Sequence, residues 1–480
     1  MSDGEMVSLL SIQLQNGGAS TLRRFLSKGW DQNFAIAATI AARVLDWLLG
    51  RRARLFSMVG FLFAIRILLP SGFAQSPPSP IRFEEIAAKA GVRFATENSP
   101  TPNKNQIETM VAGVALLDYD GDGYLDIYLV NGAAIPSLQK DSPKYWNRLF
   151  HNNHDGTFTD VTEKAGLAGA GYGMGVAVGD YDNDGRPDIF VANVTGNQLF
   201  HNNGDGTFTD VTEKAGLSGA KLNGKKMWSV GAGWFDYNND GLPDIWYTAV
   251  EHETFPMLID QGGGFFVDES ATDGLRSTAD MSGWGNGIFD FDNDGWKDLF
   301  VARSNVMDNI SLLNPSRSYE EPNTVFRNLG NGKFEDVSAT AGPDFQLKAA
   351  HRGVAFGDLD NDGRIDAVVS VLGGPVELFH NVSATTNHWI LLKLVGTKSN
   401  RMGIGAQIHI VTSDDRSQWN EVTTATGYAS ASDSRVHFGL GGNSRIKEVE
   451  IRWPSGIRQT LHDVVGDQIL TIEEPRASTK

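Results

Sequence analysis

Five short acidic segments contain the residues of this chain whose types and spacing could do chemistry. Each is nine residues long, with Asp at its first, fifth and ninth positions and Gly at its sixth. They are DYDGDGYLD (118–126), DYDNDGRPD (180–188), DYNNDGLPD (236–244), DFDNDGWKD (290–298) and DLDNDGRID (358–366), here called loops 1 to 5. Carboxylates at alternate positions of a tight turn point toward one centre. Such an all-oxygen, highly charged donor set favours calcium over magnesium or zinc.

The predicted ligands are the side chains at positions one, three, five and nine and the backbone carbonyl at position seven. In order they are Asp118, Asp120, Asp122, Tyr124 and Asp126; Asp180, Asp182, Asp184, Arg186 and Asp188; Asp236, Asn238, Asp240, Leu242 and Asp244; Asp290, Asp292, Asp294, Trp296 and Asp298; and Asp358, Asp360, Asp362, Arg364 and Asp366. Turn propensity alone would explain one such loop but not five. We therefore predict about five Ca²⁺ ions with a structural role, because crowded carboxylates destabilise a metal-free turn.

The elements that position these loops repeat with them. The loops begin 62, 56, 54 and 68 residues apart, and a second pattern lies between them, LFHNNHDGTFTDVTEKAGL (149–167), which returns as LFHNNGDGTFTDVTEKAGL (199–217). Each unit reads as four strands, for example Gly175–Gly179, Asp188–Asn193, Gln198–His201 and Thr207–Val211. Four short strands in a tandem repeat of about 60 residues are typical of a β-propeller blade. An EF-hand is excluded because the flanks are strands and no Glu stands at position twelve.

The two ends of the repeat region complement each other. The last unit stops after its third strand near His380, whereas the chain enters the region with an isolated fourth strand at Ile81–Ile86. Pairing them would close the ring and remove its open sheet edges. The prediction is an all-β protein: a calcium-binding β-propeller over residues 81–385, followed by a small β domain over 386–475. Five repeats are visible, but residues 127–148 and 304–324 have room for further strands, so five to seven blades stay open.

The N-terminal segment indicates export. Three arginines at 51–54 precede an apolar run over 55–69, and the small residues Gly72 and Ala74 follow. This pattern favours a signal peptide over residues 51–74, cleaved after about Ala74, and a linker over 75–80, with an uncleaved anchor as the alternative. Residues 1–50 are interpreted as a leader or a misassigned start. We expect the mature chain to be secreted, periplasmic or on the cell surface, without membrane insertion.

Composition excludes several classes of function. The formal net charge is −17, and no basic face is visible, which argues against nucleic acid and against anionic lipid. The chain has no cysteine, so disulfides, thiol catalysis and zinc–thiolate sites are excluded. Five calcium ions would bring the formal charge from −17 to −7.

The acidic loops and the glycine-rich strands before them resemble FG-GAP/VCBS repeats over about residues 81–385. The C-terminal part is similar to an ASPIC/UnbV domain, on the segments SNR (399–401), IGA (404–406), GY (427–428), HFGLG (437–441) and WPSG (453–456). The pairing resembles the cartilage acidic protein-like family, which implies a secreted, calcium-binding propeller, commonly seven-bladed in FG-GAP proteins, and gives architecture more firmly than activity. Strands are predicted in this part at Trp389–Val395, Ala406–Val411, Glu448–Trp453 and Gln468–Ile472.

A glycine stands five residues before the first Asp of every loop, and larger side chains precede it. If the units align, seven of these side chains converge on one face of the ring: Met110, Tyr172, Met174, Trp228, Trp284, His351 and Arg352. They are predicted either to bind a ligand or to fill the channel as core. His151, His201 and His380, where other units carry Asp260 and Arg327, are interpreted as surface positions rather than metal ligands, and His437 as a structural histidine.

No Ser-His-Asp order, phosphate loop or zinc motif is present in the sequence. We therefore expect a binding or adhesion module for an extracellular protein or glycan, and not an enzyme. The alternatives are an extracellular polysaccharide-active enzyme, for which Glu108 is the one acid predicted near the axis, and a scaffold of a cell-surface complex.

Overall fold

A computed structural model describes residues 80–215, 233–249, 255–262, 266–269 and 272–476. The predicted leader, the signal peptide, residues 75–79 of the linker and Trp228 lie outside these residues. The described residues all belong to one compact unit. Across the described ranges, no helix combines the length and the apolar character needed to cross a bilayer.

Short antiparallel strands make up most of this unit. Strand β1 is Phe83–Glu85. Sheet 1 contains β2 (Val114–Leu117), β3 (Asp126–Leu129), β4 (Arg148–Asn152) and β5 (Phe158–Asp160); sheet 2 contains β6 (Gly173–Gly179), β7 (Asp188–Asn193), β8 (Gln198–Asn202) and β9 (Phe208–Asp210). Sheet 3 contains β10 (Gly233–Phe235), β11 (Asp244–Trp246), β12 (Met257–Asp260) and β13 (Phe266–Asp268); sheet 4 contains β14 (Gly283–Phe289), β15 (Asp298–Arg303), β16 (Thr324–Asn328) and β17 (Phe334–Asp336).

Sheet 5 takes its strands from both ends of the repeat region. Its strands β18 (His351–Gly357), β19 (Asp366–Val371) and β20 (Glu377–Asn381) are completed by β1, in the order β18-β19-β20-β1. Phe83 pairs with Asn381, and Glu85 with Phe379, in antiparallel register. The predicted pairing of the two chain ends is therefore confirmed.

Helices are few and short. Two α-helices are described, α1 (Thr162–Ala165) and α2 (Ile310–Leu313), and 3₁₀ turns lie at Gln106–Thr109, Pro143–Tyr145, Leu275–Asp280, Ser338–Thr340 and Asp344–Gln346. Within the described chain, residues 127–148 and 304–324 add isolated bridges, one 3₁₀ turn and α2, but no further sheet. Five four-stranded sheets in an all-β chain are consistent with a propeller-like fold.

The core lies between successive sheets. Apolar clusters join sheet 1 to sheet 2, sheet 3 to sheet 4, sheet 4 to sheet 5, and sheet 5 to sheet 1. The cluster between sheets 4 and 5 is rich in phenylalanine: Phe83 of β1 stacks on Phe345 at 5.5 Å between ring centroids. The recurrent glycines let the innermost strands approach each other, since a Cβ on Gly353 would lie 2.1 Å from the carbonyl oxygen of Ala112.

The C-terminal module (residues 386–475) has its own core. Its strands are β21 (His388–Val395), β22 (Gln407–Thr412), β23 (Ser417–Glu421), β24 (Ala425–Thr426), β25 (Ser430–Ala431), β26 (Val436–Gly441), β27 (Arg445–Arg452), β28 (Arg458–Val465) and β29 (Gln468–Glu473). They form the sheets β26-β21-β29 and β23-β22-β27-β28, and Ile390, Ile408 and Trp453 lie in the core between them. The four strands predicted here are confirmed; β23, β26 and β28 were not predicted.

One hairpin of the module leaves it and joins the repeat region. This axial hairpin (residues 424–432) contains β24 and β25, and Ala431 pairs in parallel with Ala115 of β2, so that sheet 1 gains two strands. Val176 of sheet 2 donates its N–H to the carbonyl of Ala429 (3.0 Å), and Phe356 of sheet 5 donates its N–H to Ser432 Oγ (2.9 Å). The innermost strands of three sheets therefore hydrogen-bond to one hairpin.

Candidate metal centres

Backbone N–H groups hold the first and ninth carboxylates of every loop. In loop 5, Asp358 Oδ1 accepts from the N–H of Asp362 (3.0 Å) and Oδ2 from that of Gly363 (2.8 Å). Asp366 accepts from the N–H of Leu359 (3.0 Å) and of Asn381 (2.8 Å). The bonds from the sixth and second residues recur in all five loops. The turn is thus built around its carboxylates.

Two positions of the loop need a left-handed backbone. The sixth, always Gly, has φ between 85° and 95°, and the fourth has φ near 60° where it is Asn, as at Asn183 and Asn361, and 79° at Gly121. Asn and Gly adopt this conformation with less strain than other residues. The turn geometry therefore explains why the sequence Asn-Asp-Gly recurs at positions four to six.

The seventh residues lie beside the fifth carboxylates. Each donates its backbone N–H to Oδ1 of the fifth Asp at 2.8–3.0 Å; these residues are Tyr124, Arg186, Leu242, Trp296 and Arg364. Their carbonyl groups as metal ligands stay a prediction.

Burial and mutual repulsion oppose ionisation of the crowded carboxylates. Burial, reinforced by Asp120 and Asp122, raises the pKa of Asp126 to about 8. In loop 5, burial and then Asp366 raise the pKa of Asp358 to about 8, and in loop 3 burial raises the pKa of Asp244 to about 7. A bound cation would reverse this effect by stabilising the ionised form.

Two carboxylate oxygens indicate where a cation fits. Asp118 Oδ1 and Asp292 Oδ1 are buried and have no hydrogen-bond partner within the described structure, and Asp292 is 0% exposed. Asp118, Asp120 and Asp122 each place an oxygen within 4.8 Å of the others. A buried, unpaired anionic oxygen among further oxygens is costly without a cation, and the donor set fits a hard divalent ion such as calcium.

Asparagines at the end of the third strand join each loop to its neighbour. Asn202 Nδ2 donates to the carbonyl of Pro187 in its own loop 2 (3.2 Å) and to that of Tyr119 in loop 1 (2.8 Å). Asn152, Asn328 and Asn381 make the same two kinds of bond. Four sheets are therefore linked by one amide each to the loop before them.

Sheet 3 departs from this pattern, and the expected alignment there was wrong by one residue. Asp260 pairs with Phe266 as Asn152 pairs with Phe158, and its N–H binds Asp244 Oδ1 (2.9 Å) as that of Asn152 binds Asp126 Oδ1 (2.8 Å). Asp260 thus stands at the asparagine position and Ile259 at the histidine position. A carboxylate accepts hydrogen bonds but cannot donate the two amide bonds.

The histidines of the third strands are not free surface residues, contrary to the sequence-based interpretation. His151 Nδ1 lies 3.5 Å from Asp120 and 3.2 Å from Asp126, and His380 Nδ1 lies 3.1 Å from Asp366. His201 contacts Asp182 and Asp188 in the same way, and Arg327 pairs with Asp292 (2.6 Å) and Asp294 (2.7 Å). The sequence contained a signal for this proximity, because each of these basic residues follows the acidic loop of its own repeat and is a natural counterion for it.

Two of the seven side chains predicted near the axis, Trp284 and Arg352, pack on each other. Arg352, 0% exposed, lies over the ring of Trp284 with its guanidinium carbon 4.0 Å from the centroid, and Trp284 contacts Tyr428 of the axial hairpin at 5.2 Å. His351 and Tyr172 are fully buried. Tyr172 lies apart from this group, donating its hydroxyl to the carbonyl of Asn98 (2.8 Å), and burial raises its pKa. Met110 and Met174 are partly buried, and Trp228 lies outside the described residues.

His437 is also enclosed. It is 6% exposed, and burial lowers its pKa to about 4, which keeps the imidazole neutral. Its Nε2 has no hydrogen-bond partner in the described part of the chain.

The C-terminal module contacts all five loops. Lys393 pairs with Asp118 of loop 1 (3.4 Å), the backbone N–H of Arg401 donates to Asn183 of loop 2 (2.7 Å), and Arg416 and Arg435 donate to the carbonyls of Asp294 in loop 4 (2.8 Å) and Asp358 in loop 5 (2.9 Å). In loop 3, a Cβ on Gly241 would lie 3.2 Å from the Trp419 ring. Each of the five loops is therefore in contact with the module.

A cleft remains between the module and loops 1 and 2. Its volume is about 590 Å³. Asp118, Asp120 and Asp184 line it from the loops, and Lys393, Arg401 and Met402 from the module.

Family comparisons agree with this division of the chain. The family described as FG-GAP-like repeat matches residues 118–191, 180–247 and 290–369, and the family described as ASPIC and UnbV matches residues 396–479.

The chain is also similar to whole proteins. Cartilage acidic protein 1 of Mus musculus is 24% identical over 421 residues, covering 75% of this chain and 64% of that protein, and its Homo sapiens counterpart is 23% identical, covering 76% and 63%. The chain thus spans less than two thirds of these relatives. A solved endo-arabinase from Bacteroides thetaiotaomicron matches at 11% identity and a TM-score of 0.28 over 61% of this chain and 97% of that one.

Proposed function

We propose that this chain, which carries FG-GAP-like repeats followed by an ASPIC and UnbV domain and is related to cartilage acidic protein 1, is a calcium-stabilised extracellular binding module. Its five sheets would form a five-bladed β-propeller with one calcium ion in each acidic loop. The ions are structural, and the binding surface takes an extracellular protein or glycan. Export would depend on the N-terminal segment.

The observation that carries the proposal is the pair of buried, unpaired carboxylate oxygens in loops 1 and 4. Asp118 Oδ1 and Asp292 Oδ1 lie among other loop carboxylates without a hydrogen-bond donor, which is destabilising for a buried anionic oxygen, while the second oxygen of each group contacts Lys393 or Arg327. Calcium ligands from positions one, three, five and nine would neutralise this repulsion and would couple metal binding to folding.

A thermal melt of the full chain tests the calcium part of the proposal. We expect excess EDTA to lower the melting temperature strongly and calcium to restore it, with magnesium at the same concentration restoring much less, because the flexible all-oxygen loops suit the larger ion. Equal stability in EDTA and calcium would refute the proposal. Equal rescue by both ions would refute the choice of calcium.

The secretion and binding parts need a separate measurement. Expression of the full chain with detection in cytoplasmic, envelope and medium fractions tests export: retention in the cytoplasm would contradict an extracellular role. A pull-down from envelope material separates a binding module from a scaffold, because a scaffold recovers several proteins in fixed ratio.

An enzymatic role is not proposed. Glu108, the acid predicted near the axis, is 4% exposed and accepts hydrogen bonds from Thr101 N–H (2.8 Å), Thr101 Oγ1 (2.6 Å) and Asn105 Nδ2 (2.6 Å). Burial alone would raise its pKa, but these bonds lower it, so the group is held ionised. A carboxylate fixed in this way is a poor general acid.

A further inference from the structure

The C-terminal module covers the five loops unequally. In loop 4, Asp290 and Asp292 are 4% and 0% exposed, and Arg416 of the module lies over the turn. Loops 1 and 2 instead border the cleft, and Asp120 and Asp184 are exposed there. The cleft is therefore the place where the loop face stays open to a ligand.

Charged groups in the cleft fall into paired and unpaired sets. Arg435 pairs with Asp433 (2.6 Å) and Arg186 with Asp184, so these charges balance within the protein. Arg401 is different: it is exposed, and its guanidinium makes one long hydrogen bond, to the carbonyl of Gly396 (3.4 Å), and no ion pair with any described residue. A guanidinium carries five N–H donors in a rigid fork that matches a carboxylate.

Lys393 of β21 supplies the second cation at the cleft, beside loop 1. Its contact with the loop is loose, at 3.4 Å from Asp118 Oδ2, while Asp118 Oδ1 is unpaired. Calcium in loop 1 would offset two of the four carboxylate charges of the loop and would weaken the attraction of Asp118 for Lys393. Arg401, and Lys393 once calcium competes for Asp118, are then the two cations of the cleft with the weakest partners inside the protein.

The rest of the cleft lining favours a peptide over a sugar. Its partly exposed apolar side chains are aliphatic, such as Val395, Met402 and Ile469, and the one aromatic residue in the lining, Tyr119, is 7% exposed. A flat aromatic platform for a sugar ring is thus lacking. A volume of about 590 Å³ lies within the usual range of ligand sites.

We propose that this cleft binds an acidic peptide segment of a partner protein, with its carboxylates held by Arg401 and Lys393 in the calcium-loaded protein. The proposal deepens the binding role given above and rests on calcium occupancy of loop 1. Charge-assisted, bidentate bonds to Arg401 would supply most of the selectivity for carboxylates.

Fluorescence anisotropy of a labelled hexaglutamate peptide tests this site on the full chain in saturating calcium. We expect binding that Arg401→Gln weakens about tenfold, equivalent to about 1.4 kcal/mol, and Lys393→Gln about threefold. The matched control is Arg458→Gln, which removes an exposed arginine of the same module that pairs with Glu450 outside the cleft and should leave binding unchanged. A melt of each variant in calcium and in EDTA accompanies the titration.

Four results would overturn the inference. Hexaglutamate binding that survives both Arg401→Gln and Lys393→Gln would place the peptide elsewhere. Binding of an oligogalacturonate but not of hexaglutamate would assign the cleft to an acidic glycan. Absence of peptide binding by a protein that calcium does stabilise would overturn the cleft alone, whereas absence of calcium stabilisation would overturn the proposed function and this inference together.

Discussion

Sheets 3 and 5 are built from the same repeat but differ in where their acidic and amide side chains lie. Sheet 5 places four aspartates in its loop, His380 beside them and Asn381 as the link to loop 4. Sheet 3 has Asn238 in place of one aspartate, Ile259 at the histidine position and Asp260 at the asparagine position. Compared with sheet 5, sheet 3 therefore has one negative charge fewer in its loop and one more at the end of its third strand. It also lacks the amide donors that would link it to loop 2.

The difference separates two functions of the repeat. The aspartates collect negative charge, which a cation can neutralise, whereas the strand-end asparagine satisfies two carbonyls and joins neighbouring sheets. Sheet 5 performs both functions. Sheet 3 keeps three loop carboxylates and lacks the amide link, so its attachment to sheet 2 depends on other contacts.

The largest expected effect is on the pH dependence of the metal-free protein. The pKa values of Asp358 (about 8) and Asp244 (about 7) are raised above that of an unfolded aspartate, so the folded state binds more protons. In EDTA, the free energy of unfolding should therefore fall as pH rises from about 4 to about 8. Calcium should reverse the slope, because its ligands must be deprotonated.

Urea unfolding at a series of pH values measures both slopes. Asp358→Asn should remove more of the slope in EDTA than Asp244→Asn, because the pKa of Asp358 is raised further. Slopes in EDTA that neither variant changes would show that the two carboxylates do not cause the pH dependence, and equal changes in both variants would show that the two loops do not differ in this respect.

Loss of the amide link should cost more in sheet 5 than loss of its counterpart in sheet 3. Asn381→Ala leaves the carbonyls of Phe291 and Ile365 buried without their donor, and it should lower the free energy of unfolding by about 3 kcal/mol. Asp260→Ala removes an acceptor of the Gly262 N–H and should cost about 1 kcal/mol. Denaturation in saturating calcium compares them, and equal losses would contradict the proposed difference.

Restoring the link in sheet 3 should stabilise the protein. Asp260→Asn restores an amide at the position from which the other asparagines bind the eighth residue of their own loop and the second residue of the loop before, which correspond to Pro243 and Tyr181 for sheet 3. The expected gain is about 1 kcal/mol in the free energy of unfolding. Asp205→Asn is the matched control. Asp205 lies in an exposed hairpin, where it accepts a hydrogen bond from the N–H of Thr207, and no gain is expected from this variant. Destabilisation by Asp260→Asn would mean that the carboxylate itself is needed.

The smallest effect is expected from completing loop 3. Asn238→Asp adds a fourth carboxylate and should raise calcium affinity at one site a few-fold, as judged by calorimetric titration. Asn314→Asp adds the same charge away from the loops and should leave the titration unchanged. An unchanged titration for Asn238→Asp would indicate that Asp260 already supplies the missing charge.

Local patterns made much of this architecture predictable. The loops, the four-strand unit and the pairing of β1 with β20 follow from spacing, because turns and strand ends are encoded within a few residues. The position of Asp260 could not be predicted from spacing. The segment LIDQ (258–261) aligns with the other units equally well in two registers that differ by one residue, and only strand pairing fixes the register. The axial hairpin was not predictable either, since its partners Val176 and Phe356 are far from it in sequence.

Closure of sheet 5 also sets the order in which the protein can assemble. Strand β1 can pair only after β20 has been synthesised, because Phe83 pairs with Asn381, almost three hundred residues later in the sequence. The axial hairpin is synthesised later still. Contacts so distant in sequence slow folding, because the chain loses the entropy of a long loop before it gains them. A nascent chain would therefore expose an unpaired strand for most of its synthesis, so we expect late, all-or-none folding rather than sheet-by-sheet growth.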